Sequence, residues 1–455
     1  MEGESQRIIK NFSELVANGP TKIRRDALEI IESGIRSAIP YEETKKLVKL
    51  DNYSLLIGEQ KINLQEVNNI YVVGVGKGSY PIALALDEIL RDKIKEGIVV
   101  VKEGEKRRLK YIEVFESSHP LPDERSLVAA RKIKAILDKA DKNDIVLAAI
   151  TGGSSALVNL LPPSIDIEEL KQLNDLLLKS GASIGKMNAV RKHLCLMKGG
   201  RLVTYAHPAP VYTFTLDTAP PDLPWPDLVL PDPSTFKDAI DVLKSYDLWS
   251  EVSESIRDYL QKGLHNSAME TPKSLDSYQS YIFSVADPRS TCLAAARKAE
   301  ELGYNAHILC TAMEGEASQL GIFLAGLVNE ISARNQPFSY PCALISAGET
   351  TVTITGKCGS GGPNQETALG FVQKLYSKRN AVCVSIDTDG TDGPSQIAGG
   401  ITDTQTKERA AALNLNLAQY LKEHDSSTAL LKLGDAIITG HTGTNVMNLR
   451  VVLIE

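Results

Sequence analysis

The spacing of hydrophobic positions changes near residue 70. Before it, segments such as RRDALEIIESGIRSAI place apolar residues three and four positions apart, which is typical of amphipathic helices. From there on, short apolar runs alternate with helical patterns. Strands are predicted at 70–75, 97–101, 112–115 and 144–150, with helices such as 126–138 between them. This alternation predicts a parallel sheet covered by helices.

A proline-rich stretch, residues 206–236, interrupts this pattern. We predict neither helix nor central strand there, because proline lacks the N–H that both structures use. A second alternation follows, in which SYIFSVAD, STCLAAARKAEELGY and NAHILCT read as one βαβ unit. Further strands are predicted at 342–347, 351–355, 381–387, 436–439 and 449–454.

These patterns predict an α/β protein of two α/β domains, residues 1–236 and residues 237–455. An arrangement in which the first helices pack on the other domain stays open. In such sheets ligands bind beyond the carboxyl ends of the strands, so the polar residues at those ends are the candidates for chemistry.

Bulk composition narrows the classes of function. The 455 residues carry a net charge of −7, which argues against nucleic acid as a partner. No apolar run approaches the ~18 residues of a membrane span, and MEGESQRIIK lacks the pattern of a signal peptide. The six cysteines are scattered without a CxxC pair, so we expect reduced thiols in a cytoplasmic protein with no membrane partner.

The turn GVGKGS follows the predicted strand 70–75 and precedes a helix. Backbone N–H groups at a helix start attract anions, and a lysine there is unfavourable unless an anion arrives. The turn does not match a Walker A loop, and Ser79 stands where a dinucleotide loop has its third glycine. We predict that Gly76, Lys77, Gly78 and Ser79 bind a phosphate or a carboxylate. A plain turn with a solvated lysine is the alternative.

Two more segments carry anion-binding patterns. In TGGSS, Gly152 and Gly153 allow backbone N–H groups to converge beside Ser154 and Ser155, although a simple capped turn has the same composition. On the helix predicted from Gly181, an amide and a guanidinium share one stripe, which suits a carboxylate or a phosphate. These residues are Asn188 and Arg191, and a solvated helix face is the alternative reading.

The clearest acidic cluster follows the strand 381–386. DTDGTDG places Asp387, Asp389 and Asp392 on a glycine loop with Gly390, a pattern that suits Mg²⁺ or ribose hydroxyls but also common turns. Two nearby segments add polar residues, namely Asn364 and Glu366 in GGPNQE, and Thr442, Gly443 and Asn445 in GHTGTN. This inventory fits phosphoryl transfer, which needs positioning and charge neutralisation, and it also fits a nucleotide-dependent dehydrogenase.

A set of motifs in a fixed order resembles one known family. The chain is similar to the class II glycerate kinases, or glycerate 2-kinases, some of which carry the name hydroxypyruvate reductase. The similarity runs from about residue 70 to about residue 450. The motifs are GVGKGS, SSHPLPDERS, TGGSSAL, GASIGKMNAVRKHL, KGGRL, GEASQLG, SAGETTVT, GGPNQETALG, DTDGTDGP and ITGHTGTNV.

The resemblance implies ATP- and Mg²⁺-dependent phosphorylation of D-glycerate, most often at the 2-hydroxyl, to give 2-phosphoglycerate and ADP. It implies a Rossmann-like N-terminal domain, a C-terminal α/β domain and an active site in the cleft between them. We expect a monomer or a homodimer. The family often has a catalytic arginine where this chain has Pro363, and Arg191 is the candidate to replace it. His441 replaces a more usual proline, and the region 217–233 is atypical.

The expected roles follow from the motifs and the resemblance together. Lys77 and Arg191 are the expected catalytic residues. Substrate or phosphate contacts are expected from Gly76, Gly78, Ser79, Gly152, Gly153, Ser154, Ser155, Asn188, Asn364 and Glu366. Nucleotide contacts are expected from Asp389, Gly390, Thr442, Gly443 and Asn445, and metal contacts from Asp217, Asp389 and Asp392. The alternatives are an NAD(P)H-dependent hydroxypyruvate reductase and a non-catalytic regulator that binds a sugar acid or a nucleotide.

Overall fold

The computed structural model describes residues 7–104, 107–119, 121–217, 225–354, 356 and 358–455. The chain forms two compact units. The continuous one, Pro40–Val285, is called the central unit here; the other joins Met1–Ile39 to Ala286–Glu455 and is called the terminal unit. Two α/β units are therefore present, as expected, but the chain passes between them after Ile39 and after Val285, not after residue 236.

The chain begins with two helices of the terminal unit and continues into the central unit. The first helices are α1 (Phe12–Ala17) and α2 (Thr21–Arg36). The strands of the central unit are β1 (Val48–Leu50), β2 (Ser54–Ile57), β3 (Gln60–Asn63), β4 (Ile70–Val75), β5 (Ile94–Lys102), β6 (Glu113–Ser117), β7 (Ile145–Ile150), β8 (Val211–Leu216) and β9 (Ser280–Ala286). Its helices are α3 (Pro40–Leu47), α4 (Ser79–Leu90), α5 (Glu124–Leu137), α6 (Ser154–Leu157), α7 (Ile167–Lys179), α8 (Ile184–His193), α9 (Arg201–Ala206), α10 (Phe236–Ser245) and α11 (Glu254–Leu264), with 3₁₀ turns at Arg91–Lys93 and Ser267–Met269.

The main sheet of the central unit has the strand order β6-β5-β4-β7-β8-β9. The neighbours from β6 to β8 are parallel. The chain leaves β4 toward β5 and β6, then returns to the other side of β4 with β7. Helices α5 and α9 cover one face, where Val73, Val100 and Ala148 lie in the core. The reversal of order between β4 and β7 creates a crevice beyond their carboxyl ends, the usual ligand position in open α/β sheets.

The terminal unit is built on a second, mixed sheet of order β10-β11-β15-β12-β13-β14. Helices α2 and α12 cover one face, and α13 and α14 cover the other. Its further strands are β10 (Asn305–Cys310), β11 (Cys342–Gly348), β12 (Ala381–Asp387), β13 (Gly399–Asp403), β14 (Ala436–Ile437) and β15 (Asn448–Ile454). Its further helices are α12 (Pro288–Glu301), α13 (Ala317–Arg334), α14 (Pro363–Lys374), α15 (Thr406–Ala412), α16 (Leu417–Lys422) and α17 (Ser426–Leu433).

Several predictions about elements were wrong for identifiable reasons. The proline-rich stretch contains β8, an interior strand, because its prolines flank Val211–Leu216 without entering it. SYIFSVAD joins the sheet of the central unit as β9 instead of opening the second domain. Of the predicted strand 351–355, the described residues 351–354 form only a single bridge, between Thr351 and Glu316, and residue 355 lies outside the described residues. The first 60 residues also contain β1 and β2, which the helical pattern hid. None of the helices in the described ranges is long and apolar enough to cross a membrane.

A buried ion cluster ties α2 to the second half of the terminal unit. The guanidinium of Arg24 is fully buried and pairs with Asp403 and with Asp435, the latter at 2.8 Å. Its Nε donates to the carbonyl of Leu15 at 2.6 Å. Arg409 pairs with the same two carboxylates, at 3.3 Å and 2.5 Å. Two arginines and two aspartates thus neutralise each other in the interior.

Replacing Arg24 with methionine should lower the free energy of unfolding by about 3–5 kcal/mol, because Arg409 alone would face two buried carboxylates. Urea unfolding followed by circular dichroism measures the change. Arg25→Met is the matched control, since Arg25 is the next residue and is exposed. Equal stability of the two variants would show that the buried cluster contributes nothing.

Candidate active site

Two glycine-rich turns lie against each other at the carboxyl ends of β4 and β7. The N–H of Lys77 donates to the carbonyl of Gly152 at 2.8 Å, and the N–H of Gly78 donates to Thr151 Oγ1 at 2.9 Å. The Ser79 hydroxyl donates to the carbonyl of Gly76 at 2.7 Å and starts α4. The turns GVGKGS and TGGSS, predicted separately from sequence, therefore form one structure at the point where the strand order reverses.

Gly76 is required for this close approach. Its φ is +131°, which side chains rarely adopt, and an added Cβ would collide with both Thr151 Oγ1 and the Thr151 carbonyl. Gly152, by contrast, has nothing within 4 Å of an added Cβ. Gly76 therefore lets the two turns touch, whereas the space beside Gly152 is open.

Lys77 and His119 share the space beside Gly153. An added Cβ on Gly153 would lie 3.2 Å from Nε2 of His119 and 3.2 Å from Cγ of Lys77. Lys77 is exposed and His119 is half-buried, in the segment that follows β6. Burial, together with the charges of Lys77 and Lys102, lowers the pKa of His119 to about 4, so its imidazole is neutral at pH 7. We call Lys77, His119 and the turn Thr151–Ser155 the Lys77 cluster.

A buried ammonium lies beneath the second turn. Lys198 is 2 % exposed, and its Nζ donates to the carbonyl of Ser155 at 3.2 Å. The hydroxyl of Ser154 is buried without a hydrogen-bond partner among the described residues. Burial of a charge is costly unless it is compensated, so an anion at this turn would be favoured by the Lys198 charge and by the free Ser154 hydroxyl.

Helix α8 holds the other predicted residues of the central unit. Arg191 is half-buried and donates from Nε to Asn174 Oδ1 at 2.8 Å. Burial lowers its pKa, while Asp227 acts in the opposite direction. Asn188 lies one turn before Arg191 and is partly exposed. His193 is fully buried and contacts Glu270 at 2.8 Å, as a residue with a structural role would.

The acidic cluster of the terminal unit lies at the carboxyl end of β12, an interior strand of its sheet. Gly348 and Asp387, the last residues of β11 and β12, both pair in register with Asn448 at the start of β15. Asp387 and the segment that begins with Glu349 therefore flank the start of β15 from its two sides. Desolvation and then the charge of Asp389 raise the pKa of Asp387 well above its usual range. We call Asp387, Asp389 and Asp392 with their hydrogen-bond partners the Asp387 cluster.

Asp392 caps α14. Its Oδ1 accepts hydrogen bonds from the backbone and side-chain nitrogens of Asn364, at 3.1 Å and 3.0 Å. Its Oδ2 accepts the corresponding pair from Gln365, at 2.9 Å and 3.0 Å. Four donors thus occupy the carboxylate at the positive end of a helix. We interpret Asp392 and Asn364 as the support that aligns α14 with the loop.

The remaining loop residues surround Asp389. Its Oδ1 accepts from the backbone N–H of Thr391 at 2.8 Å, and Oδ2 lies 3.4 Å from the amide of Asn445. Thr442 donates its N–H to the Asp389 carbonyl at 3.3 Å. Gly390 has φ +97°, and an added Cβ there would collide with the carbonyl oxygen of Gly440, so a larger residue would be strained. The loops DTDGTDG and GHTGTN therefore form one surface, with Gly443 open on it.

Glu366 is paired with a histidine that the motif reading did not single out. His424 Nδ1 lies 2.9 Å from Glu366 Oε1, and Glu366 is 2 % exposed. Burial raises the pKa of Glu366, while His424 acts in the opposite direction. The pair lies beside the turn 359–362, since an added Cβ on Gly361 would be 3.3 Å from the His424 carbonyl.

Comparison with known proteins covers nearly the whole chain. A family model described as "Domain of unknown function (DUF4147)" matches residues 26–261, and the MOFRL family model matches residues 342–448. The glycerate 2-kinase of Pyrococcus horikoshii is 39% identical over 434 residues, which are 95% of this chain and 97% of that protein. The chain belongs to the glycerate 2-kinase family.

Two further comparisons agree with membership of the glycerate 2-kinase family. The D-glycerate 2-kinase of Thermotoga maritima is 36% identical over 441 residues, 96% of this chain and 99% of that protein. A crystal structure of glycerate kinase from the same organism has a TM-score of 0.83 at 34% identity, covering 97% of this chain and 99% of that chain. The resemblance drawn from the motifs is confirmed, and so is the α/β fold.

A metal site of the kind this kinase family implies can be compared with the residues present. Within the described part of the chain, no group of three or more His, Cys, Asp or Glu side chains could hold a metal ion. Mg²⁺, however, is usually bound by one or two carboxylates together with substrate phosphates. Asp387 and Asp389 are the carboxylates that fit that role. Burial and then the charge of Asp389 raise the pKa of Asp387, and a bound cation would favour its ionised form. Asp217 follows β8 in the central unit, away in sequence from the other predicted ligands.

Sequence reasoning missed several residues of both clusters. His119 lies in the motif SSHP and Lys198 in the motif KGGR. Neither motif shows by itself that these side chains contact the turn Thr151–Ser155. Lys10 was missed too: its Nζ lies against Gly440, beside the Asp389 loop. A lysine far ahead of that loop in the chain gives no local signal of this contact.

Replacing Gly76 with alanine should destabilise the central unit by about 1–3 kcal/mol, because the added methyl group must displace Thr151 and adopt a strained φ. Thermal unfolding measures the effect. Gly152→Ala is the control, since its methyl group meets nothing within 4 Å. A Gly76→Ala variant that unfolds at the wild-type temperature would contradict the tight contact between the turns.

Proposed function

We propose that this protein is an ATP-dependent kinase that transfers the γ-phosphoryl group of ATP to D-glycerate, at the 2-hydroxyl. The observation that carries the proposal is the pairing of two glycine-rich turns around Lys77 at the switch point of the sheet. Such a site would bind a small anion, and the names of the relatives that match over nearly their whole length support glycerate as that anion. The exposed thiol of Cys358 supports a cytoplasmic location for the enzyme.

The Lys77 cluster is proposed to hold glycerate and the transferred group. The Lys77 ammonium would neutralise charge on the phosphoryl oxygens as it spreads in the transition state. Backbone N–H groups of Gly152 and Gly153 and the hydroxyls of Ser154 and Ser155 would donate hydrogen bonds to the anion, and the buried ammonium of Lys198 would add positive potential. Arg191 and Asn188 are proposed to bind the glycerate carboxylate from α8, in place of the guanidinium that Pro363 does not provide.

The Asp387 cluster is proposed to hold the nucleotide. Asp389, Gly390, Thr442, Gly443 and Asn445 would contact ATP, while Asp387 and Asp389 would hold Mg²⁺ bound to its phosphates. When bound, Mg²⁺ neutralises phosphate charge and helps to orient the transferred group. Asn364 and Asp392 keep α14 aligned with this loop. Lys10, beside Gly440, is a further cation within reach of a bound phosphate.

Incubation of the purified protein with D-glycerate, ATP and Mg²⁺ should give ADP and 2-phosphoglycerate, identified by phosphorus NMR. Formation of 3-phosphoglycerate would keep the kinase and correct the acceptor hydroxyl. Oxidation of NADH with hydroxypyruvate, without any phosphorylated product, would instead indicate the reductase.

Replacing Lys77 with methionine should lower kcat by about 10²–10³-fold and leave the fold intact, because one donor to the developing charge is removed. Initial rates with ADP detection measure the loss. Lys142→Met is the matched control, since Lys142 is exposed in the same unit. If Lys77→Met retained full kcat, Lys77 would have no role in the transition state.

Replacing Asp389 with asparagine should raise the Mg²⁺ concentration needed for half-maximal activity by about tenfold or more, because one carboxylate ligand is lost. A magnesium titration at saturating ATP and glycerate measures the shift. Glu408→Gln, an exposed carboxylate change in the same unit, should leave the titration unchanged. An unaltered magnesium requirement in Asp389→Asn would remove Asp389 from the proposed metal site.

A further inference from the structure

The imidazole of His119 is the titratable group that shares the Lys77 cluster with the lysine itself. Its Nε2 and the Cγ of Lys77 are equally close, 3.2 Å, to the position of an added Cβ on Gly153. The ring is thus packed against a glycine at the open side of the second turn. A side chain larger than hydrogen at position 153 would fill the space that both residues border.

No hydrogen bond from either ring nitrogen of His119 to another described residue is present. His193 and His424 differ from His119 in this respect. His193 is fully buried and uses both nitrogens, with Ala189 at 2.7 Å and Glu270 at 2.8 Å. His424 is paired with Glu366. His119 therefore keeps an acceptor nitrogen available in a site built for an anion.

Burial and the neighbouring charges keep that nitrogen of His119 unprotonated in the absence of ligand. Burial acts first, and the ammonium groups of Lys77 and Lys102 add to it, so that the pKa is about 4. An anionic ligand at Lys77 would offset this repulsion and raise the basicity of the ring. The imidazole would then become a better proton acceptor at the moment when substrate is in place.

We propose that His119 is a further catalytic residue, which accepts the proton of the attacking glycerate hydroxyl during phosphoryl transfer. The hydroxyl oxygen forms a bond to the γ-phosphorus, and the bond from that phosphorus to the β–γ bridging oxygen breaks with its electron pair on ADP. The hydroxyl proton moves to the free ring nitrogen of His119 and passes to water after product leaves. This inference rests on the proposed kinase function and names the base for that reaction.

The test is a comparison of His119→Ala with wild type in the glycerate kinase assay. The kcat should fall by about 10²–10⁴-fold, the usual contribution of general base catalysis, while KM for glycerate changes by less than about threefold. Added imidazole should restore activity in proportion to the concentration of its neutral form, because it can occupy the vacated space. A merely structural role for His119 predicts no rescue.

Control variants separate the outcomes. His265→Ala changes an exposed histidine of the same unit and should show neither loss nor rescue. If His119→Ala unfolds at a lower temperature than wild type, His119→Asn provides the same kcat comparison with a polar side chain of similar width. Unchanged kcat in either variant, or a loss confined to KM, would overturn the role of His119. A wild-type protein that phosphorylates no glycerate would overturn the proposed function itself, and this inference with it.

Discussion

The contact between the GVGKGS and TGGSS turns is the constraint on which the candidate site depends. Two hydrogen bonds, from the N–H groups of Lys77 and Gly78 to residues of the other turn, hold the ends of β4 and β7 together. Because both turns start at adjacent parallel strands, the sheet sets their separation and the glycine at 76 closes it. Lys77 and the residues of the second turn, which are proposed to meet the acceptor, are positioned by this contact.

The terminal unit uses a different device for the same purpose. There the carboxylate of Asp392, not backbone contact, aligns a helix with a loop, and four donors from Asn364 and Gln365 satisfy it. Buried Arg450 supplies positive charge beneath the acidic edge, with its guanidinium bound to the Gly348 carbonyl and to Thr350. The carboxylates at this end of the strands are thus partly compensated by hydrogen bonds and by Arg450, and a bound cation would offset the negative charge that is left.

The parts of the site that could be predicted from sequence are those whose signal is local. The turns around Lys77 and Asp389 follow apolar strand patterns directly, so their place at strand ends was foreseeable. The capping role of Asp392 and the place of Lys198 depend on contacts between distant segments, which no single stretch encodes. The strand Val211–Leu216 was missed for a local reason. It contains no proline itself, but the prolines on both sides of it made the whole stretch look unsuited to a strand.

The terminal unit is discontinuous, and this has a consequence for how the chain is made. Arg24 is separated from its partners Asp403 and Asp435 by 379 and 411 positions. On the ribosome, the central unit is complete long before those aspartates are synthesised, and it can fold as a continuous segment. The apolar face of α2 then stays exposed to solvent until the last strand, β15, has been synthesised. During synthesis α2 therefore needs protection from aggregation, although in the folded enzyme its apolar face is covered.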